Sequence, residues 1–161
     1  MPQEEVFGTR DRTYSAWHRR MSTQRFVGIE FAQLLAMIDL DASLYVEYDD
    51  RTKEPLALIE TAADHGQLWK PATVTAKLAR RADLPGFVAL YTKSAHLNPA
   101  DLQFFDIDSF RARRLWPQPT NDWKRFTAQE WAEFLVRLRG WSARRLDEQI
   151  KGNGGERKTK G

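Results

Sequence analysis

Three carboxylates flank two short apolar segments, in positions from which they could share a metal ion. Asp39 and Asp41 precede the segment LYVEY, and Glu60 closes the apolar run PLALIE. In a hairpin, the start of one strand and the end of the next lie at the same end of the sheet, and neighbouring strands are only ~4.8 Å apart. We therefore expect Asp41 and Glu60 to be neighbours, with Asp39 on the same side of its strand as Asp41.

Such a pair of carboxylates is suited to phosphodiester chemistry. Mg²⁺ prefers oxygen ligands and usually combines one or two carboxylates with phosphate oxygens and water. The bound ion polarises the phosphate and lowers the pKa of a bound water. Alternatively, Asp39 and Asp41 cap turns or lie at a sheet edge. Glu60 ends a buried run where an unpaired carboxylate is costly, so a metal, an arginine or a backbone partner is expected beside it.

Basic residues are grouped where they could contact phosphates. The formal net charge is only +3, so the distribution of charge is more informative than its total. An acidic cluster within a basic surface suits a metal held near a nucleic-acid backbone, although ordinary solvated charge is the alternative for each group. Tryptophans beside these groups (Trp69, Trp116 and Trp123) could stack on bases or anchor a partner. The candidate nucleic-acid contacts are Lys77, Arg80, Arg81, Arg111, Arg113 and Arg114.

Composition narrows the class of protein. The chain has no cysteine, which excludes disulfides and thiolate zinc sites. No apolar run approaches the ~20 residues that cross a bilayer, and the first residues lack the apolar stretch of a signal peptide. We expect a soluble cytoplasmic protein without a membrane partner. Its length favours one domain over residues 1–150, followed by a disordered basic tail at 151–161.

Hydrophobic patterning predicts the elements that position these residues. A strand, a helix and another strand in succession favour a parallel crossover. The sum is an α/β fold with a mixed β-sheet flanked by helices. The last helix begins at a capping box, Thr127 to Glu130, and ends or bends at Gly140. The other predictions are a helix within 10–36, strands within 37–48 and 55–61, a helix from Pro71, strands at 87–91 and 102–110, and a loop at 111–119.

The order Asp41, strand, turn, Leu56–Glu60, helix and strand resembles the core of PD-(D/E)XK nucleases over about residues 25–92. This superfamily includes restriction endonucleases and archaeal-type Holliday junction resolvases. The resemblance implies a restriction-endonuclease-like core, a DNA substrate, and Mg²⁺ or Mn²⁺ bound by Asp41 and Glu60. It further implies that Asp39 and a first-helix glutamate, Glu30, assist the metal. Small nucleases of this fold often act as dimers, so a homodimer is also implied.

One position departs from the family. The family has a lysine two residues after the glutamate, whereas Ala62 occupies that position here. Lys70 and Lys77, at and within the following helix, are the candidate replacements. If neither serves, the resemblance implies an inactive nuclease fold that binds nucleic acid or a host protein as an adaptor or inhibitor.

Two further interpretations remain. The chain also resembles small phage-encoded proteins through the segments YSAWHR, ALIET, KPATVT and EWAEFL. That resemblance implies the cytoplasm of a host cell as the compartment. An unrelated α/β domain with another function is the last alternative.

Overall fold

A computed structural model describes residues 13, 17, 24–35 and 40–158, with the backbone alone for 153–158. The chain divides into two compact units, Met1–Asp39 and Leu40–Gly161. The boundary between the units falls inside the single domain that the length predicts for residues 1–150.

The first unit contains a short helix, α1, over Gln24–Ala32. Gly28 interrupts it with φ 82° and ψ 165°, a left-handed conformation that glycine adopts without steric cost. The rings of Trp17 and Phe26 stack with their centroids 6.4 Å apart. Helical structure is therefore found within the predicted 10–36 range, and Asp39 lies outside the described residues.

The second unit is built on one mixed sheet. In residues 40–158, five strands lie in the order β1-β2-β3-β4-β5. The pair β2–β3 is parallel and joined through α2, whereas the other neighbouring pairs are antiparallel, so the predicted hairpin and parallel crossover are confirmed. The strands are β1 Ala42–Glu47, β2 Lys53–Ala63, β3 Gly86–Asn98, β4 Asp101–Trp116 and β5 Lys124–Thr127, and the helices are α2 Thr73–Ala82 and α3 Ala128–Lys158.

The centre of the sheet is buried on both faces, which explains the continuous apolar runs of β2 and β3. Side chains alternate between the two faces along each strand. Ile59 and Ala89 belong to a cluster with Trp131 of α3, whereas Val88 and Leu90 pack with residues of α2 on the other face. The mixed α/β architecture predicted from the sequence is therefore present in residues 40–158.

Helix α3 begins as predicted and continues further than predicted. The Thr127 amide donates to Glu130 Oε1 and the Glu130 amide to Thr127 Oγ1, both at 3.1 Å, which confirms the capping box. The helix passes Gly140 and reaches Lys158, so the predicted end at Gly140 is wrong and residues 151–158 are helical where a disordered tail was expected. The buried Ser142 hydroxyl donates to the Leu56 carbonyl oxygen at 2.6 Å, which fixes the helix beyond Gly140 to β2. In the described part of the chain, no helix has the length and apolar character to span a membrane.

Other predicted boundaries require correction. Strand β4 continues to Trp116, so residues 111–116 are not the predicted loop. The run of arginines there has the composition of a solvated loop, yet Ala112 and Leu115 are buried within it. Helix α2 begins at Thr73 instead of Pro71, because Ala72 has a non-helical φ of −145°. The four-residue strand β5 was not predicted.

Candidate functional site at the end of β2

Glu60 lies near the end of β2 with its side chain on the α2 face of the sheet. Lys70 Nζ is 3.3 Å from Glu60 Oε1, and the Thr75 hydroxyl donates to Glu60 Oε2, also at 3.3 Å. The side chains of Glu60 and Lys70 are only 12% and 22% exposed. The structure gives this half-buried carboxylate a lysine and a hydroxyl as partners, whereas the sequence predicted a metal, an arginine or a backbone group.

Asp41 lies immediately before β1, at the same end of the hairpin as Glu60. The register pairs Ala42 with Ile59, which places Asp41 across from Glu60. Asp41 Oδ2 accepts hydrogen bonds from the Thr61 amide at 2.7 Å and from the Thr61 hydroxyl at 3.2 Å. Because successive side chains of a strand point to opposite faces, Thr61 lies on the face opposite Glu60. The hairpin brings the two acidic residues together, while their carboxylates bind different partners.

The two remaining candidate metal ligands lie in the first unit of the chain. Glu30 is exposed on α1, and Asp39 lies outside the described residues. Lys77 is exposed on α2. In the part of the chain that the structure describes, no three histidine or carboxylate side chains form a set that could hold a metal ion.

Lys70 is carried by the loop from Asp64 to Ala72, and this loop is anchored at its start by Arg111 of β4. Arg111 Nε lies 2.7 Å from Asp64 Oδ2, and Nη2 lies 2.8 Å from Oδ1. Hydrogen bonds from Arg111 and from the Gly66 amide lower the pKa of Asp64 below its ordinary value. Gly66 has φ 79°, the left-handed conformation that permits this tight turn.

Two further hydrogen bonds hold the middle of the same loop. Arg111 Nη2 donates to the Gln67 carbonyl oxygen at 2.5 Å, and the Trp123 indole N–H donates to the Leu68 carbonyl oxygen at 3.1 Å. The position of Lys70 beside Glu60 therefore depends on residues of β4 and of the segment before β5. These anchors are not predictable from the sequence, because Arg111 is 47 residues from Asp64 and its basic neighbours favour a solvent-exposed role.

The predicted phosphate contacts fall into two groups. Lys77, Arg80 and Arg81 are exposed on α2, and the Arg80 guanidinium lies 5.8 Å from the centre of the Trp116 ring. The β4 arginines are more enclosed. Arg111 is buried and bound to Asp64, which assigns it to anchoring the loop, whereas Arg113 and Arg114 are half-buried.

Trp123 and Trp69 differ in how far their rings are available to a ligand. Two guanidinium groups lie over the ring of Trp123, with Arg111 4.7 Å and Arg113 5.5 Å from its centre. Trp69 is 63% exposed and directly precedes Lys70. Trp69 is therefore the tryptophan of this loop whose ring is open to solvent.

Comparison with known proteins assigns no family to this chain. No family model, no curated protein and no solved structure matches it. The likeness of residues 25–92 to the PD-(D/E)XK core accordingly stays an expectation, and the contacts of Asp41, Glu60 and Lys70 carry the functional argument.

Proposed function

We propose that the chain is a metal-dependent DNA nuclease with a restriction-endonuclease-like core, in which Lys70 replaces the lysine that is absent at Ala62. The observation that carries this proposal is the 3.3 Å contact between Lys70 Nζ and Glu60 Oε1. A lysine reaching the glutamate from the following loop supplies the positive charge that the strand lacks. Lys77, exposed further along α2, is left as a candidate for binding phosphate.

A hard divalent cation at this end of the hairpin would take its carboxylate oxygens from Asp41 and Glu60, because Mg²⁺ needs only one or two carboxylates when phosphate and water complete its shell. For both to reach one ion, the Asp41 carboxylate would have to leave Thr61, which lies on the face opposite Glu60. Both hydrogen bonds to Asp41 fall on Oδ2. Bound there, Mg²⁺ or Mn²⁺ would polarise the scissile phosphate and acidify a water. The positive charge of Lys70 would stabilise negative charge that develops beside Glu60.

The surroundings of the site suit a nucleic-acid substrate. Helix α2 begins three residues after Lys70 and exposes Lys77, Arg80 and Arg81. Contacts of such cations with phosphates release counterions and make binding strongly dependent on salt. The exposed ring of Trp69 offers a surface on which an unpaired base can stack.

A second function is favoured by the position of Asp41. Its carboxylate is bound to the backbone and hydroxyl of Thr61, on the face opposite Glu60. A protein that kept this contact in the presence of metal would bind nucleic acid, or a host protein, without cutting DNA. That outcome is the inactive adaptor or inhibitor.

Cleavage assays separate the two functions. The purified chain is incubated with linear, branched and single-stranded DNA in Mg²⁺ or Mn²⁺, together with Glu60→Gln and Lys70→Met variants. If the chain is a nuclease, the wild type should cleave DNA, and both substitutions should abolish that cleavage. Lys77→Met is the matched control, and it should weaken binding while preserving cleavage at saturating protein. Salt-sensitive DNA binding without cleavage in either metal supports the adaptor, and neither binding nor cleavage rejects both functions.

A further inference from the structure

The outer halves of β3 and β4 extend beyond the rest of the sheet as a two-stranded arm, residues 93–108. Strand β2 pairs with β3 only as far as Tyr91, and β5 pairs with β4 only from Ser109 onward. Within residues 40–158, neither strand of the arm has another neighbour, so both its edges are open. An isolated two-stranded ribbon is marginally stable in water, and open strand edges are sites of pairing with other chains.

The arm carries four large apolar side chains that are exposed. Leu97 pairs with Phe105 across the two strands, so these side chains share one face, and they are 49% and 58% exposed. Leu102 and Phe104 are 70% and 49% exposed on β4. Such a concentration of exposed apolar side chains on one projecting element indicates a partner that covers the arm.

Local hydrogen bonds from side chains support the tip of the arm. The Ala100 amide donates to Asn98 Oδ1 at 2.9 Å in the turn between the strands, and the Gln103 amide donates to Asp101 Oδ1 at 3.1 Å at the start of β4.

Charge identifies what the arm would dock against. It contains three aspartates, Asp101, Asp106 and Asp108, and one lysine, Lys93. An acidic apolar arm is complementary to a basic surface with an apolar floor.

The same chain has such a surface, here called the α3 groove. Two adjoining cavities of about 320 and 340 Å³ lie between the end of β4 and α3, and they share Phe87, Arg114 and Phe134. The apolar floor includes Phe87, Phe134 and, at one end, Trp141. Its charged lining consists of four cations and one carboxylate: Arg113, Arg114, Lys124, Arg137 and Asp122.

We infer that the arm of one copy of this chain docks into the α3 groove of a second copy. The arm leaves the sheet at the carboxyl end of β3, whereas the groove lies beside Phe87 at its opposite end. Two copies related by a two-fold axis would therefore exchange arms and bury both apolar arms at once. The exchange requires no nuclease activity, and it gives the homodimer a defined interface.

Sedimentation of the full chain tests this interface. The wild-type chain should form a dimer. Leu102→Asp in the arm and Arg137→Glu in the groove should each raise the dimer dissociation constant roughly ten-fold or more. The matched control is Leu68→Asp, because Leu68 is 89% exposed and belongs to neither surface. Its dissociation constant should equal that of the wild type, and wild-type circular dichroism with a cooperative thermal transition should show that all three variants fold.

Mixing the variants makes the test specific. The Leu102→Asp chain keeps an intact groove and the Arg137→Glu chain keeps an intact arm, so an equimolar mixture should form a heterodimer through one contact. A monomeric wild type at high concentration would overturn the inference. It would also be overturned by a dimer that Leu102→Asp leaves unchanged, or by variants that fail to associate when mixed.

Discussion

The guanidinium of Arg111 binds the carboxylate of Asp64 through two parallel hydrogen bonds, from Nε at 2.7 Å and Nη2 at 2.8 Å. Arg111 is 6% exposed, and the Asp64 side chain is 15% exposed. This bidentate geometry is the strongest form of an arginine–carboxylate pair. It joins the middle of β4 to the loop that follows β2, and so holds the start of the segment that presents Lys70.

The first prediction concerns the acid stability of this pair. Arg111 lowers the pKa of Asp64 in the folded protein, so the carboxylate stabilises the fold above its unfolded pKa of about 3.9. That stabilisation is lost as the pH falls through the lower folded value. Asp64→Asn should therefore reduce the free energy of unfolding at neutral pH by about 2–4 kcal/mol and weaken its dependence on acid. Urea unfolding measured from pH 7 down to acid checks both effects.

Asp147→Asn is the control for this prediction, because Asp147 is an exposed aspartate of α3 that belongs to neither the arm nor the α3 groove. Its unfolding free energy and acid profile should match those of the wild type. Identical acid profiles for Asp64→Asn and the wild type would show that the pair does not contribute to acid stability.

The second prediction tests whether the loop anchors serve the proposed nuclease. Trp123→Phe retains an aromatic ring beside Arg111 and Arg113 but removes the hydrogen bond to the Leu68 carbonyl oxygen. We expect slower cleavage with unchanged DNA affinity, because Lys70 is displaced from Glu60 while the exposed cations of α2 remain. Single-turnover cleavage and salt-dependent binding measure the two effects separately.

Tyr45→Phe provides the comparison, since Tyr45 is an exposed aromatic residue of β1 whose ring lies against Lys53. Cleavage by this variant should equal that of the wild type. Equal cleavage by Trp123→Phe and the wild type would separate the loop from catalysis.

Local sequence signals predicted the parts of this fold that local interactions determine. Thr127 and Glu130 are three residues apart, and their reciprocal hydrogen bonds form as the capping box requires. The crossover from β2 to β3 was predictable because strand, helix and strand follow one another within a short segment. Lys70 was a candidate through the resemblance, which implies a replacement lysine at the following helix, whereas its contact with Glu60 was not predicted.

The features of the fold that the sequence did not predict depend on contacts between residues far apart in the chain. Arg111 was expected at a nucleic-acid surface, because no residue near it in sequence indicates that it pairs with Asp64, 47 positions away. The continuation of α3 past Gly140 depends on Ser142, whose acceptor at Leu56 is 86 residues distant. A glycine costs a helix about 1 kcal/mol relative to alanine, which tertiary contacts can offset.

The third prediction measures that contact between α3 and β2. Ser142→Ala leaves the buried Leu56 carbonyl oxygen without the hydroxyl donor and should reduce the free energy of unfolding by about 1–3 kcal/mol. Ser43→Ala is the matched control, because the exposed Ser43 hydroxyl bonds only to its neighbour, the Leu44 carbonyl oxygen. Denaturant unfolding should show a near-wild-type value for the control. If the Ser142→Ala variant is as stable as the control, this hydrogen bond is not the reason that α3 continues past Gly140.

The fourth prediction concerns the close approach of α2 to β3, which sets the position of Thr75 against Glu60. A methyl group built on Gly86 would lie 2.8 Å from Cβ of Ala79, a fully buried residue of α2. Because the Cβ of alanine cannot rotate away, Gly86→Ala must push the helix off the strand. The overpacking should reduce the free energy of unfolding by about 1–3 kcal/mol.

A second substitution distinguishes this steric cause from a backbone effect. Ala79→Gly removes the methyl group that Gly86→Ala would strike, so the double variant should be less destabilised than the sum of the two single changes. Gly140→Ala is the control, since its nearest neighbour is Arg144 Nη1 at 3.6 Å and the helix gains up to about 1 kcal/mol from alanine. Denaturant unfolding of the wild type, the two single variants and the double variant gives the coupling energy between positions 79 and 86. Strictly additive losses at positions 79 and 86 would mean that α2 and β3 do not meet through these two residues.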